Sequence, residues 1–289
     1  MKVNTLKIAL IPNMSKPDVV FYTKKVIKIF STFNFSIIMS NKYKLYFKNL
    51  NCEFLDDGLL YKSCDIFITI GGDGTLIHSA VYAAIYEKPI LGINLGRLGF
   101  VTEIEKNDLY KLKRIAKGDY TIEKRMMLDI TLKNKNSNIK KYYALNDAVI
   151  FGRGVSNLID INMTLNKAEF CSIRADGIII STPTGSTAYS LSAGRPIIDP
   201  CMNCILTTQI CSHSLFSRPM IFSKDSLLIF SFDLSRNNNI SLSIDGSNID
   251  LDDNYTIEIS SSEKSLKLIS FKDNSFYKKI TTKLSQRKN

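Results

Sequence analysis

Along the first 120 positions, short and almost wholly apolar runs alternate with stretches whose apolar residues recur every three to four positions. Residues 6–11 read as a strand, 19–30 as an amphipathic helix, 35–39 as a second strand and 65–70 as a third that ends abruptly in Gly71-Gly72. A helix over 76–86 follows, then a strand over 89–93 that runs into another glycine-rich turn. Strands that are apolar on both faces and separated by helices belong to parallel βα units. Beyond about residue 120 the rhythm changes to β-rich segments with turn signals between them: 127–132, 142–151, 160–165, 177–181, 227–232, 240–244, 255–259 and 266–269. The expected fold is therefore an α/β N-terminal domain with an open parallel sheet, residues 1–122, and a β-rich C-terminal domain, residues 123–272.

Composition narrows the class. A chain of 289 residues with 45% hydrophobic content is long enough for two moderate domains, each with its own core. No apolar run approaches the roughly 20 residues that cross a bilayer, and the N-terminal stretch lacks a small-residue cleavage site, so a cytoplasmic location is expected. The six cysteines (Cys52, Cys64, Cys171, Cys201, Cys204, Cys211) read as reduced core thiols rather than a disulfide framework. Cys201 and Cys204 alone have a metal or redox spacing, and with two histidines in the chain no zinc site is expected. The formal charge of +11 is spread over a sequence rich in lysine throughout, which argues for compositional bias rather than a nucleic-acid stripe. The polar patches at 133–141 and 235–239 read as solvated turns.

The sharpest chemical signal is Gly71-Gly72-Asp73-Gly74-Thr75, set between an apolar strand and a helix. Glycines there let the backbone turn tightly and approach a ligand, and the helix N-terminus offers amides to a phosphate. No lysine follows the last glycine, so this is not a Walker A loop; it presents a carboxylate where phosphates would sit. Asp73 is placed to orient or deprotonate an attacking hydroxyl or to help hold a divalent cation, the alternative being a turn aspartate that caps the helix. A second glycine-rich turn, Asn94 to Phe100 with Arg97 at its centre, opens at the same carboxyl edge of the sheet, where ligands bind in open α/β folds.

In the β-rich half, Asn146-Asp147 interrupts an otherwise apolar strand. Adjacent polar groups in such a run are costly unless bonded, which points to a ribose or amide ligand, with an internal network as the alternative. Further on, Arg174 and Asp176 precede a buried strand that feeds a hydroxyl-dense stretch from Ser181 to Ser192. Its hydroxyls suit a neutral hydrogen-bonding surface around a dinucleotide, with Tyr189 able to stack on a base; plain turn and capping roles are the alternative. A serine nucleophile is disfavoured, because no GxSxG elbow is present.

Taken together, Gly71–Thr75, Asn94-Leu-Gly-Arg-Leu-Gly-Phe100, Asn146-Asp147 and Asp176-Gly-Ile-Ile-Ile-Ser-Thr-Pro-Thr-Gly-Ser-Thr-Ala-Tyr-Ser190 resemble the bacterial NAD kinase family in order and spacing. The resemblance implies a Rossmann-like N-terminal sheet, a C-terminal tail (residues 273–289) that packs back on the first domain, and a homo-oligomer, dimer or tetramer. The implied activity moves the terminal phosphoryl group of ATP, or of another donor, to the 2′-hydroxyl of the adenosine ribose of NAD. It implies a divalent cation, usually Mg2+, with the donor. No nucleic-acid or membrane partner is expected.

By the same resemblance, Asp73 is the proton acceptor, with Gly71, Gly72 and Thr75 in the donor phosphate loop. Gly74, His78, Asn146, Asp147, Arg174, Asp176, Thr187, Ala188, Tyr189, Ser190, Leu191, Ser192 and Ser247 join Asp73 in binding NAD, and Arg174 and Asp176 reach across an oligomer interface. Ser247 stands where the family commonly carries glutamine, so a short hydroxyl replaces a long amide; Asn157 occupies a variable position, and the family's C-terminal tryptophan is absent. The rivals are a GGDG-type kinase of a lipid or sugar, and a sensor that binds NAD or NADP without turnover.

Overall fold

The computed structural model describes residues 5–134, 139–153, 158–213, 218–232, 240–251, 255–271 and 276–285. Asn157, the 235–239 patch and most of the 133–141 patch lie outside them. The chain forms two compact units, residues 1–124 with 266–289, and residues 125–265.

In the first unit the elements are β1 (Leu6–Pro12), α1 (Val19–Phe30), β2 (Phe35–Ser40), α2 (Lys44–Phe47), β3 (Glu53–Leu55), α3 (Asp57–Ser63), β4 (Ile66–Gly71), α4 (Asp73–Ile85), β5 (Pro89–Asn94), β6 (Ile104–Glu105) and α5 (Lys113–Ala116). The strands run parallel in the order β5-β4-β1-β2-β3, with β6 also paired to β5. Every residue of β4 is buried, as its unbroken apolar run requires of a strand covered on both faces. On α1 the buried positions are Val19, Thr23, Val26, Ile27 and Phe30, one face at helical spacing. They pack with Ile8, Leu10, Ile68 and Ile93 into one core.

The chain leaves β1 for β2 on one side and later returns to β4 on the other, so the sheet order reverses between β1 and β4. Ligands of open α/β sheets lodge outside the carboxyl ends of strands at such a reversal. The glycine-rich turn after β4 is therefore placed at the crevice by topology. Two details differ from the sequence expectation. The short strand β3 and helix α3 fill a stretch without a clear period, and α4 starts at Asp73 rather than at residue 76, because Gly72 serves as its N-cap and the polar triplet Asp-Gly-Thr makes the first turn.

The remaining elements are β7 (Thr121–Lys133), β8 (Ile139–Ala144), β9 (Asp147–Gly152), β10 (Ile159–Leu165), β11 (Ala168–Ala175), β12 (Gly177–Ser181), α6 (Tyr189–Ser192), β13 (Cys204–Ile210), β14 (Met220–Ser223), β15 (Leu228–Phe232), β16 (Ile240–Ile244), β17 (Ser247–Leu251), β18 (Thr256–Ser270) and α7 (Phe276–Ser285). In the second unit β14-β13-β12-β9-β16-β17 form one wholly antiparallel sheet. Strands β11, β10, β15 and the first part of β18 pair antiparallel in another, and β7 pairs with β8. Leu128, Ile130, Ile150, Ile161, Ile178, Ile180, Phe230, Leu242 and Ile257 form a common core.

The expected single strand over 142–151 is two strands. β8 pairs with β7, β9 pairs with β12 and β16, and the chain changes sheets at Leu145-Asn146. Conversely, the expected strands 255–259 and 266–269 are one, since the polar run between them continues β18. Its last residues pair in parallel with β5 in the first unit. Strands β11, β13, β14 and β17 were not expected; β11 and β17 are mostly exposed edge strands without a sharp apolar alternation.

Helix α7 packs within the first unit: Lys279 Nζ donates to Glu103 Oε2 at 2.8 Å and to the Thr102 carbonyl at 3.0 Å. All six cysteines are free, but only Cys64 and Cys204 are buried; Cys201 and Cys211 are exposed, which corrects the expectation of core thiols throughout. Burial pushes the Cys64 thiol up to about 12. No helix among the described residues is long and apolar enough to cross a membrane.

Candidate active site

In the first unit a cleft of about 450 Å3 opens beyond the ends of β4 and β5. Gly71, Gly72, Asp73, Gly74, Thr75 and His78 line it from the β4–α4 side, Asn94 and Gly96–Gly99 from the second turn, and Lys16, Arg97 and Lys283 bring cationic side chains to its wall. All the residues expected for the donor loop are thus together with Asp73, Gly74 and His78. The first turn of α4 leaves amides without intrahelical partners at the positive end of the helix dipole, a seat for phosphate oxygens.

Asp73 does not cap its helix. Its carboxylate turns to the second glycine-rich turn, where Oδ2 accepts from the Phe100 amide at 2.7 Å and Oδ1 accepts from the amides of Val101 (3.2 Å) and Thr102 (3.0 Å) and from the Thr102 hydroxyl (3.0 Å). Gly99 makes this possible: a Cβ there would collide with the Asp73 carboxylate and with Thr102 Oγ1. Asn94 holds the same turn from inside, donating to the Arg97 carbonyl (2.7 Å) and to Glu105 (2.8 Å) while its Oδ1 accepts from the Gly96 amide (3.1 Å). Burial raises the Glu105 carboxyl against the opposing pull of that Asn94 bond. With three donors on Oδ1 and one on Oδ2, the carboxylate is fixed in direction and retains an acceptor position on Oδ2.

In the second unit a cavity of about 730 Å3 is lined by Asn146, Asp147, Asp176, Ala188, Tyr189, Asp245, Gly246 and Asn248 among others. The corner at 145–147 is held by neighbours on three sides. Asp245 accepts from the amides of Leu145 (2.7 Å), Asn146 (2.8 Å) and Asp147 (3.1 Å). Thr182 Oγ1 donates to the Leu145 carbonyl at 2.6 Å, and the Thr182 amide donates to the Asn146 carbonyl at 2.9 Å. Gly185 lies against the Asn146 backbone so closely that no Cβ would fit.

Two polar groups of this corner are left for a ligand. Asn146 Oδ1 is buried with no hydrogen-bond partner, a costly state that a ligand donor would relieve. The Asp147 carboxyl is pushed up to about 7, first by burial and then by the charge of Asp245.

The hydroxyl-dense stretch is used differently from the sequence expectation. Thr182, Thr184, Ser186 and Ser190 are buried, and their hydroxyls serve the fold: Ser186 Oγ donates to the Pro183 carbonyl (2.7 Å) and accepts from the Ile198 amide (2.9 Å), and Ser190 Oγ meets Thr208 Oγ1 at 3.4 Å. Of the segment expected to bind NAD, Ala188 and Tyr189 reach the cavity wall; Thr187, Ser190, Leu191 and Ser192 do not line it. Asp176 lines it, whereas Arg174 is 65% exposed on β11, 3.9 Å from Asp160. Ser247 is exposed and off the wall, between lining residues Gly246 and Asn248.

Sequence reasoning missed the structural part of Asp245. The signal was present: Asp-Gly between two strands marks a two-residue hairpin, and Asp245 and Gly246 both have positive φ (47° and 83°), as such a turn requires. No group of three or more metal-ligating His, Cys, Asp or Glu side chains gathers among the described residues. A cation at Asp73 would therefore lean mainly on phosphate oxygens and water, which suits Mg2+.

Comparison with known proteins agrees with this arrangement. Residues 8–120 match the ATP-NAD kinase N-terminal domain and residues 145–271 the ATP-NAD kinase C-terminal domain. The chain is 36% identical over 285 residues to the NAD kinase of Thermoanaerobacter sp. (strain X514), covering 97% of this chain and 99% of that protein. It is 38% identical over 227 residues to the NAD kinase of Treponema denticola, covering 78% and 80%. Among solved structures, the yeast NADH kinase complexed with NADH superimposes with a TM-score of 0.88 at 23% identity over 100% of this chain and 90% of that one. The NAD kinase from Archaeoglobus fulgidus in complex with ATP gives 0.71 at 21% identity over 97% and 99%, and both likenesses concern the fold. With both family domains matched in order and a relative at 36% identity along nearly the whole length, the chain belongs to the ATP-NAD kinase family.

Proposed function

We infer that this protein phosphorylates the 2′-hydroxyl of the adenosine ribose of NAD with ATP, releasing NADP and ADP. The observation that carries the reading is Asp73: a carboxylate at the first turn of a glycine-capped helix, fixed by four donors and retaining one acceptor position. A carboxylate beside a phosphate seat is repulsive unless a donor hydroxyl comes between, and the ribose 2′-hydroxyl is that donor.

The Asp73 Oδ2 position accepts the hydroxyl proton and aims the oxygen at the γ-phosphorus. The new O–P bond forms as the bond to the β–γ bridging oxygen breaks, and the electron pair leaves with ADP. A loose phosphoryl-transfer transition state demands position more than early proton removal, which suits a carboxylate held rigid by backbone amides. Amides at the start of α4, with Lys16, Arg97 and Lys283, meet the phosphates. A divalent cation, Mg2+ by the donor set, supplies charge neutralisation on the phosphates when bound, and Asp73 is the side chain that would touch it.

Asn146 Oδ1 and Asp147 are the groups for the hydroxyls or amide of the NAD adenosine, Tyr189 offers a ring for its base, and Asp176 the opposite wall. Gly71, Gly72 and Thr75 form the donor loop, with Gly74 and His78 beside it. The working division is residues 1–122 with the tail 273–289 as the donor domain and 123–272 as the NAD-binding domain, in a cytoplasmic homo-oligomer where Arg174 meets a neighbouring copy. The test is NADP formation from NAD, ATP and Mg2+ by the purified protein, read with an NADP-specific dehydrogenase. Asp73→Asn should lower kcat by about a hundredfold or more while NAD still binds. Full activity in that variant would remove Asp73 from the mechanism, and no NADP from folded parent protein would remove the kinase reading.

A further inference from the structure

The Asp73 cleft is continuous with a second hollow of about 530 Å3 that phosphoryl transfer leaves without a task. Asn13, Thr75 and His78 belong to the walls of both. The second hollow lies beyond the carboxyl end of β1, and one side of α4 forms its wall, at Thr75, His78, Ser79 and Tyr82, positions one turn apart. It thus occupies the β1 side of the reversal in sheet order, while the Asp73 cleft occupies the β4 side.

The chemistry of the two hollows differs. The cleft at Asp73 is glycine-rich and cationic, whereas the second hollow carries three aromatic rings, Tyr43, Tyr61 and Tyr82. Tyr61 and Tyr82 stack at 4.6 Å between ring centroids, 25° from parallel, and Tyr61 is backed by Phe67 at 5.5 Å. Tyr82 is nonetheless 45% exposed, so this stack ends in an uncovered aromatic surface rather than in the core. At the rim Lys42 Nζ and Asp57 Oδ2 lie 3.4 Å apart and half exposed, a donor and an acceptor within reach of ring nitrogens or an exocyclic amine. Asn13 bridges the two hollows, donating from Nδ2 to Thr75 Oγ1 at 3.1 Å.

We propose that this tyrosine-lined hollow holds the base of the nucleoside triphosphate donor, with the ribose passing Asn13 and His78 and the phosphates ending at the first turn of α4. A ligand with an aromatic base at one end and a polyanion at the other matches a stacking wall that leads into a cationic, glycine-rich cleft. The proposal rests on the kinase reading for the identity of the ligand, while its geometry stands on the two joined hollows.

The test uses the full chain and the variants Tyr82→Ala and Tyr82→Phe. Loss of one base–aromatic stack should raise KM for ATP by roughly tenfold in Y82A. KM for NAD should stay unchanged, as should the inhibition constant of inorganic tripolyphosphate, a competitor that has phosphates and no base. Y82F keeps the ring and should behave as the parent. Photolabelling with 8-azido-ATP should mark the peptides that carry Tyr43, Tyr61 or Tyr82. An unchanged KM for ATP in Y82A, an equal loss for ATP and tripolyphosphate, or a label confined to other peptides would overturn the proposal while leaving NADP formation intact. Should the parent make no NADP, the photolabel decides alone: marking of these tyrosine peptides supports the base site, and marking elsewhere refutes it.

Discussion

Replacing Asp147 by asparagine changes one buried carboxyl into a neutral amide of the same shape, and the consequence for stability depends on pH in a way the site's geometry fixes. Asp147 is 6% exposed, faces the cavity at the 145–147 corner, and its carboxyl is raised from 3.8 to about 7 by burial and by Asp245. A folded state that holds this proton more tightly than the unfolded chain gains stability from it below pH 3.8, and that gain is lost as pH rises through about 7. The full span is a shift of about 3 units at ~1.4 kcal/mol each, or about 4 kcal/mol. Roughly a third of it is already lost at pH 5, so between pH 5 and pH 9 the parent should lose about 2–3 kcal/mol that Asp147→Asn does not. Urea unfolding of the ligand-free proteins, followed by far-UV circular dichroism or tyrosine emission, measures the gap between variant and parent at each pH. The gap should widen in favour of the variant from pH 5 to pH 8 and then level off. Parallel profiles, with the same gap at pH 5 and pH 9, would refute the argument that burial and Asp245 hold the Asp147 proton. With ligand present, donors on NAD favour the carboxylate, so KM for NAD in the parent should rise as pH falls below about 7 and stay flat in the variant.

Two further perturbations probe the first unit. Gly99→Ala sets a methyl group against the Asp73 carboxylate and Thr102, so kcat should fall at least tenfold with KM for NAD little changed; parent-like kcat would show that the turn does not position Asp73. Lys279→Met takes the ammonium from Glu103, which is 4% exposed and also accepts from the Phe271 amide at 2.6 Å, and should cost about 3–5 kcal/mol in urea unfolding. The double variant Glu103→Gln, Lys279→Met should recover much of that loss, because no buried carboxylate is then left beside a missing cation, and a double variant as unstable as the single one would count against the ion pair.

The sequence made the parallel sheet legible because β1, β2, β4 and β5 are apolar on both faces and punctuated by glycine at their carboxyl ends, a pattern few other structures satisfy. It also marked the Asp73 turn, since glycine next to a carboxylate after a buried strand has little purpose without a ligand. Legibility failed where a residue's role depends on partners distant in sequence. Asn146-Asp147 reads as polar groups inside one strand, yet the chain changes sheets there, and what holds the corner is Asp245, about a hundred positions away. The hydroxyls between Thr182 and Ser190 look like a ligand surface, but their bonds to carbonyls, amides and Thr208 make them the scaffold behind it.

Local periodicity and turn chemistry alone were enough to determine the α/β character of the first half, the β-rich second half, and the two glycine turns at one sheet edge, because each rests on interactions within a few residues along the chain. Which oxygen of Asp73 stays open, why Gly99 has no side chain, and which of the hydroxyl-rich residues reach a cavity were decided only by tertiary structure. Those outcomes depend on directional hydrogen bonds and close contacts between segments tens to a hundred residues apart, and such contacts exist only once the sheets have been assembled.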